Sequence, residues 1–324
     1  MKILLTGAAG FIGFHVSKEL LETGHTVIAV DNINDYYDTK LKEDRIAQLT
    51  TYEHFTFYKE DIAQESLVEK ITQSHADITH IVHLAAQAGV RYSTDHPFTY
   101  AHSNVVGHII LMEIARYLPN LEHFVYASSS SVYGVENKVP FSVEDRVNTP
   151  KSLYAATKRA DELLTYSYCH LYGIKATGLR FFTVYGPWGR PDMATFLFTK
   201  AIFEGKPIKL FNHGNMMRDF TYIDDVVQGT ISALNHVPQS EPPHHLYNIG
   251  NNKAVKLDHF VETLESIIGK KAIIEYGDMH PGDLVNTCAN IDHTIKDLGF
   301  TPKTSIQEGL KHFVNWYKSY YKVD

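Results

Sequence analysis

Short apolar runs alternate with longer amphipathic stretches through the first half of the chain. Lys2–Thr6 and Thr26–Val30 are continuous apolar runs of strand length, and the segment Gly7–Gly13 between them opens an amphipathic stretch that reaches about Thr23. A helical stretch from Thr39 to Leu49 follows. Strands are then predicted at Phe55–Tyr58, Thr79–Leu84 and Phe124–Ala127, with a long helix from about Pro97 to Tyr117 before the last of these. The next helix starts within Pro150–Tyr154 and runs to about Tyr172, with Gly173 as its C-cap. Strand and helix alternating in this way predict a parallel sheet covered on both faces. Beyond about residue 180 the alternation gives way to turn-rich segments, Gly186–Arg190 and Asn212–Asn215, of the kind that build a pocket. Helices at about Asp224–His236, Leu257–Ile268 and Ser305–Tyr317 cover that end, while strands near Ile174–Leu179 and at Leu246–Gly250 are expected to return to the first sheet.

Composition narrows the class. A chain of 324 residues with 44% hydrophobic and 21% charged residues can bury a substantial core as one large or two modest domains. The net charge of −7 is not concentrated in tails, which predicts no nucleic-acid partner and no anionic membrane surface. No apolar run approaches a membrane span. With only Cys169 and Cys288, and an apolar strand rather than a signal peptide at the start, the cytoplasm is the expected compartment. His80 and His83 fall in a strand-like run, His244 and His245 in a loop after Pro242-Pro243. Neither pair has partner ligands, so no metal is expected.

Strand, glycine turn and helix place backbone N–H groups and a helix N-terminus against a pyrophosphate. Here the spacing is Gly7, Gly10, Gly13, with Phe11 and Ile12 inside it, and the second strand ends at Asp31-Asn32. An acid there can accept both hydroxyls of an adenosine ribose and repels an added phosphate, which favours NAD over NADP; turn formation with Asn32 is the plainer role. Asp61 can accept from an adenine amine while Ile62 packs on the ring, or Asp61 can cap the next helix. The strand end Leu84-Ala85-Ala86-Gln87 has small residues that let a dinucleotide approach the backbone. The fold class is thus α/β, a Rossmann-type doubly wound parallel sheet over residues 1–180, rejoined by a segment near 220–250, with a smaller mixed α/β substrate domain over 181–324.

Two stretches carry chemistry. Ser128-Ser129-Ser130-Ser131 leaves the carboxyl end of a strand, and Tyr154 and Lys158 stand four apart on a helix, hence on one face. An ammonium beside a phenol favours the ionised form, which makes a base, and a serine hydroxyl can relay the proton. On a helix taken alone the same pair is decoration.

The motifs GAAGFIG, LAAQ, SSSSVYG, YAATK and RFFTVYGP occur in order, and with them the chain resembles the extended short-chain dehydrogenase/reductase family over nearly its whole length. By that resemblance Gly7, Gly10, Gly13, Asp31 and Lys158 contact NAD, Tyr154 is the catalytic base and Ser129 its hydroxyl partner. Asn32–Asp38, Arg180–Ala194 and Arg218–Asp225 are most similar to the UDP-glucuronate 4-epimerase group. The resemblance implies a UDP-sugar substrate, with Arg218 and Asp283 on its diphosphate and ribose, unless they form a surface ion pair. Phe211 is expected to stack on uracil or to be a core residue. Thr183 replaces the asparagine of many relatives, leaving room for an acidic sugar substituent that Arg190 closes over, unless Arg190 faces solvent. Ser129, Ser130, Ser131 and Tyr154 complete the expected substrate surface. A homodimer, paired through the helices at Pro97–Tyr117 and Lys151–Tyr172, is implied by analogy. Epimerisation at C4, interconverting UDP-glucuronate and UDP-galacturonate, leads the functional readings. A decarboxylase or 4,6-dehydratase is second, weakened because those relatives carry an acid where this chain has Ser130 and Ser131. A neutral-hexose 4-epimerase and a non-catalytic NAD sensor remain.

Overall fold

The computed structural model describes residues 1–135, 138–279 and 282–324. In chain order the first half holds β1 (Lys2–Thr6), α1 (Phe11–Glu22), β2 (Thr26–Val30), α2 (Thr39–Leu49), β3 (Phe55–Tyr58), α3 (Ser66–Ser74) and β4 (His80–His83). Two single turns, α4 (Tyr92–Asp95) and α5 (Pro97–Tyr100), lead into α6 (Gly107–Tyr117), β5 (His123–Ser129), α7 (Leu153–Tyr172) and β6 (Ala176–Phe181). Then come β7 (Thr183–Tyr185), α8 (Ala194–Glu204), β8 (Pro207–Phe211), β9 (Met217–Tyr222), α9 (Ile223–Leu234) and β10 (His244–Ile249). The chain closes with β11 (Ala254–Lys256), α10 (Leu257–Ile268), β12 (Ile273–Gly277), α11 (Asp292–Leu298) and α12 (Ile306–Tyr321).

Among the described residues seven strands form one parallel sheet in the order β10-β6-β5-β4-β1-β2-β3. Because side chains alternate across a strand, Ile3 and Leu5 enter one core with Val27, Ala29 and Val125, while Leu4 enters a second with Ile28, Ile81 and Phe124. Burial on both faces explains why these strands read as unbroken apolar runs. Each such side chain contributes about 1.5–3 kcal/mol relative to exposure. Strand order reverses between β1 and β4, and the crevice at their carboxyl ends is where a sheet of this kind takes a ligand.

The long helix expected from Pro97 is interrupted. Residues Ala101–Val106 form a π-helical turn, and the Asn104 side chain there accepts from the Gln87 N–H (2.7 Å) and donates to the Gln87 carbonyl and to Thr157 Oγ1. The widened turn directs Asn104 inward, which ties the end of β4 to α7. α7 starts at Leu153, where Ser152 Oγ accepts from the Ala155 N–H, and it ends at Gly173 in the left-handed region, the expected C-cap. His244 and His245 are strand residues, not loop. They pair with Ala176 and Thr177, and His244 lies 2.9 Å from the Tyr126 hydroxyl. β10 thereby joins the large sheet, and α9 packs on α1 beside it.

The other end is a three-stranded sheet, β11-β9-β7, a parallel pair, β12-β8, and the helices α8, α10 and α12. Phe196, Phe260, Phe313 and Tyr317 fill its core. Among the described residues no helix is long and apolar enough to cross a membrane.

Candidate active site

At the carboxyl ends of β1, β4 and β5 lies a cleft enclosing about 1350 Å³, part of it continuous with solvent. Gly7, Gly10, Phe11, Ile12, Gly13, Asp31, Asn32, Asp61, Ile62 and Leu84 to Gln87 line it, together with Ser129, Tyr154, Lys158 and Arg190. Two glycines are required by packing. Gly7 has φ +80°, and a Cβ on it would lie 2.7 Å from the Ala85 nitrogen. A Cβ on Gly13 would lie 2.0 Å from the Gly7 carbonyl oxygen. The turn is therefore wound tightly enough to open the N-terminus of α1 to the cleft.

Asp31 is half-buried at the end of β2, where Oδ2 accepts from the Ala9 N–H (3.0 Å) and Oδ1 from the Ile33 N–H (2.8 Å). Each oxygen keeps a further lone pair for a ligand. Burial pushes its carboxyl up, opposed by those N–H groups and by Lys42. Lys42 also lines the cleft, and burial lowers its ammonium to about 8 against the pull of Asp31. Asp61 is not a helix cap. It accepts from the Ala63 N–H in a local turn and lies 3.0 Å from His102 Nε2, while α3 starts later, at Ser66.

The reactive face is built by α7 and the end of β5. Tyr154 and Lys158 both reach the cleft one turn apart. Lys158 is buried, with Nζ donating to the Ala127 carbonyl (3.0 Å) and to Asp161 Oδ2 (3.1 Å). β5 runs two residues beyond its expected end, and the four serines divide their work. Ser128 donates to Glu162 Oε1 (2.6 Å), whereas Ser129 faces the cleft, accepting from the Ser131 N–H and donating to Ser131 Oγ. Ser130 and Ser131 start a 3₁₀ turn and do not line the cleft.

The substrate-side residues fall into two groups. Arg190 reaches the cleft, and Asp192 grips its guanidinium through both oxygens (3.0 and 2.5 Å) while Tyr36 donates to Asp192 Oδ2. Arg190 is thus paired, not facing solvent. Thr183 does not line the cleft, although its neighbours Phe182 and Val184 do. Phe211, Arg218 and Asp283 lie apart from that lining and gather together. The Arg91 guanidinium sits 3.9 Å from the Phe211 ring centroid and 2.7 Å from Asp283 Oδ2. Arg218 donates to the carbonyls of Met217, Leu284 and Val285, so it is not a surface ion pair.

The model of the family described as "NAD dependent epimerase/dehydratase family" matches residues 3–250. This chain belongs to that family. Protein CapI of Staphylococcus aureus is 50% identical over 99% of this chain and 100% of its own length. UDP-glucuronate 4-epimerase 2 of Arabidopsis thaliana is 46% identical over 99% of this chain and 77% of its own. The crystal structure of UDP-glucuronic acid 4-epimerase from Bacillus cereus in complex with UDP-glucuronic acid and NAD has a TM-score of 0.92 at 35% identity, covering 99% of this chain and 100% of that one.

The cleft of this family member fits a dinucleotide by its own donors and acceptors. A glycine turn presents backbone N–H groups at a helix N-terminus, a half-buried carboxylate ends β2, and small residues floor the centre. Sequence reading missed Asn34, Tyr36, Tyr37 and Lys42, which also line the cleft, and Arg91 and Lys151, which hold Asp283. The polar aromatic run Asn34–Asp38 was the available signal for the first set. For Arg91 there was none, since its partner lies 192 positions away.

Proposed function

We infer that this chain is an NAD-dependent 4-epimerase that interconverts UDP-glucuronate and UDP-galacturonate. The observation that carries this is the convergence of Tyr154, Lys158 and Ser129 with the glycine turn and Asp31 on one cleft, in a chain whose relatives include UDP-glucuronate 4-epimerases. When bound, NAD accepts hydride from C4 of the sugar and returns it. Gly7, Gly10 and Gly13 receive its pyrophosphate, Asp31 its ribose, and Asp61 with Ile62 its adenine. Tyr154 takes the proton from the 4-hydroxyl and gives it back after the sugar has turned over, with Ser129 hydrogen-bonded to the same oxygen. Lys158 holds the phenol's surroundings positive. The large sheet with α9 and β10 forms the cofactor domain, and most of the chain from 181 onward forms the sugar domain.

The second group is the nucleotide end of the same site. Phe211 offers a ring face to uracil opposite Arg91, and Arg218 offers its remaining charge to the diphosphate. Arg190 steers the 6-carboxylate away from alignment with the C4 carbonyl, which suppresses loss of carbon dioxide. Large apolar side chains remain exposed on the outer faces of α5 to α7, among them Phe98, Tyr117, Leu163 and Leu171. They support a homodimer through this face, which sedimentation of the parent and of Leu163→Lys would test. Incubating the purified protein with UDP-glucuronate and no added NAD, with products read by NMR, tests the function itself. Inversion at C4 is expected. A pentose with carbon dioxide selects the lyase, and no change selects a non-catalytic NAD protein.

A further inference from the structure

Directly beneath the reactive face lies a carboxylate that the proposed mechanism does not use. Asp161 stands one turn after Lys158 on α7, and the two side chains are 0% and 3% exposed. Its Oδ2 accepts from the Lys158 ammonium at 3.1 Å, and its Oδ1 is buried with no hydrogen-bond partner. A buried carboxylate left half-satisfied is expensive unless a charge holds it there.

The groups around the pair leave each as the other's counter-ion. On α7, Glu162 is the neighbouring anion, but Arg180 from β6 and Arg159 from α7 already match it. His108 from α6 and His83 from β4 face the pair, and burial keeps both imidazoles neutral near pH 7, His83 lowered to about 3. Tyr126 from β5 faces Asp161 and is held protonated by burial, and His244 from β10, beyond Tyr126, is lowered to about 4. Burial pushes the Asp161 carboxyl up to about 6 against the Lys158 ammonium.

We propose that Asp161 is a positioning residue that fixes the Lys158 ammonium under Tyr154 and, as its buried counter-ion, tempers the positive field that Lys158 presents to the phenol. This rests on the reading of Tyr154 and Lys158 as the reactive pair. Removing the carboxylate charge leaves Lys158 uncompensated, so the phenolate form of Tyr154 gains.

The test uses the full chain labelled with [ζ-¹³C]tyrosine, the Tyr154 resonance being assigned by its loss in Tyr154→Phe. In Asp161→Asn, which keeps the size and one oxygen but not the charge, the Tyr154 titration midpoint falls by about one unit relative to the parent. The acid limb of kcat with UDP-glucuronate moves the same way. Asp161→Ala shows the same fall in midpoint and a larger loss of kcat, because only the Ala127 carbonyl then holds Nζ. An unchanged or raised midpoint in either folded variant overturns the counter-ion role, and equal kcat in the two variants overturns the positioning role. The NMR midpoint needs no turnover. A lowered midpoint in a protein that epimerises nothing upholds this inference while rejecting the proposed function; an unmoved midpoint in an active epimerase does the reverse.

Discussion

Replacing Glu162 by alanine should remove the most heavily used side chain behind the reactive face. Its buried carboxylate accepts four hydrogen bonds, from Arg180 Nε (2.8 Å) and Nη2 (2.9 Å), Arg159 Nη1 (2.8 Å) and Ser128 Oγ (2.6 Å). Arg180 is itself 1% exposed, so Glu162→Ala strands a guanidinium that stays charged, and breaking a buried pair from one side costs about 3–5 kcal/mol. Against a total stability of about 5–15 kcal/mol this is a large fraction. Urea unfolding followed by circular dichroism should show it, and kcat should fall as well, since Ser128 precedes Ser129. Glu162→Leu combined with Arg180→Met removes both charges and should recover most of the loss. The deficit should also depend on pH. Burial by itself would raise the Glu162 carboxyl, but Arg180, Ser128 and Arg159 outweigh it and hold the group below its ordinary value of 4.5. Its contribution is therefore present above pH 4.5 and lost as pH falls through the lower folded value, so parent and Glu162→Ala should converge in acid. A cost under about 1 kcal/mol at pH 7, or a double variant no more stable than the single one, would refute the reasoning.

Gly13→Ala would place a Cβ 2.0 Å from the Gly7 carbonyl oxygen, so the turn must open; the purified variant should carry less than a tenth of the parent's NAD, measured by release and enzymatic assay. Asp31→Asn removes the charge that repels a 2′-phosphate, leaving Lys42 beside it, and should narrow the preference for NAD over NADP by about tenfold in apo-protein titrations. Arg190→Ala should raise KM for UDP-glucuronate about tenfold and release carbon dioxide during turnover; unchanged affinity and products would remove Arg190 from the carboxylate's contacts.

The sheet was legible because buried parallel strands are apolar on both faces: β1, β2, β4, β5 and β6 lie where short, mainly apolar runs stand in the sequence, and β3, at the edge, reads as an alternation. The cofactor side was legible for a related reason: its residues sit at strand ends and glycine turns, which local pattern marks. What stayed hidden depends on distant partners. The interruption at Ala101–Val106 follows from Asn104 reaching Gln87 and Thr157, and nothing in an amphipathic run announces it. Arg190 could be placed beside the cleft, with Asp192 two residues on, but Tyr36 could not, since it reaches Asp192 only once two loops 156 positions apart meet. Asp161 reads as one more polar helix residue until α7 is packed on β5 and its carboxylate is found with a single partner.

The central claim is that one tightly held NAD takes hydrogen from C4 and returns it to the same carbon, with Tyr154 handling only the proton. It is tested most directly with UDP-glucuronate deuterated at C4, incubated in ordinary water with the purified protein and no added NAD. The account predicts UDP-galacturonate that retains deuterium at C4, and no such product from Tyr154→Phe at a comparable rate. Product carrying solvent hydrogen at C4, or undiminished conversion by Tyr154→Phe, would contradict it.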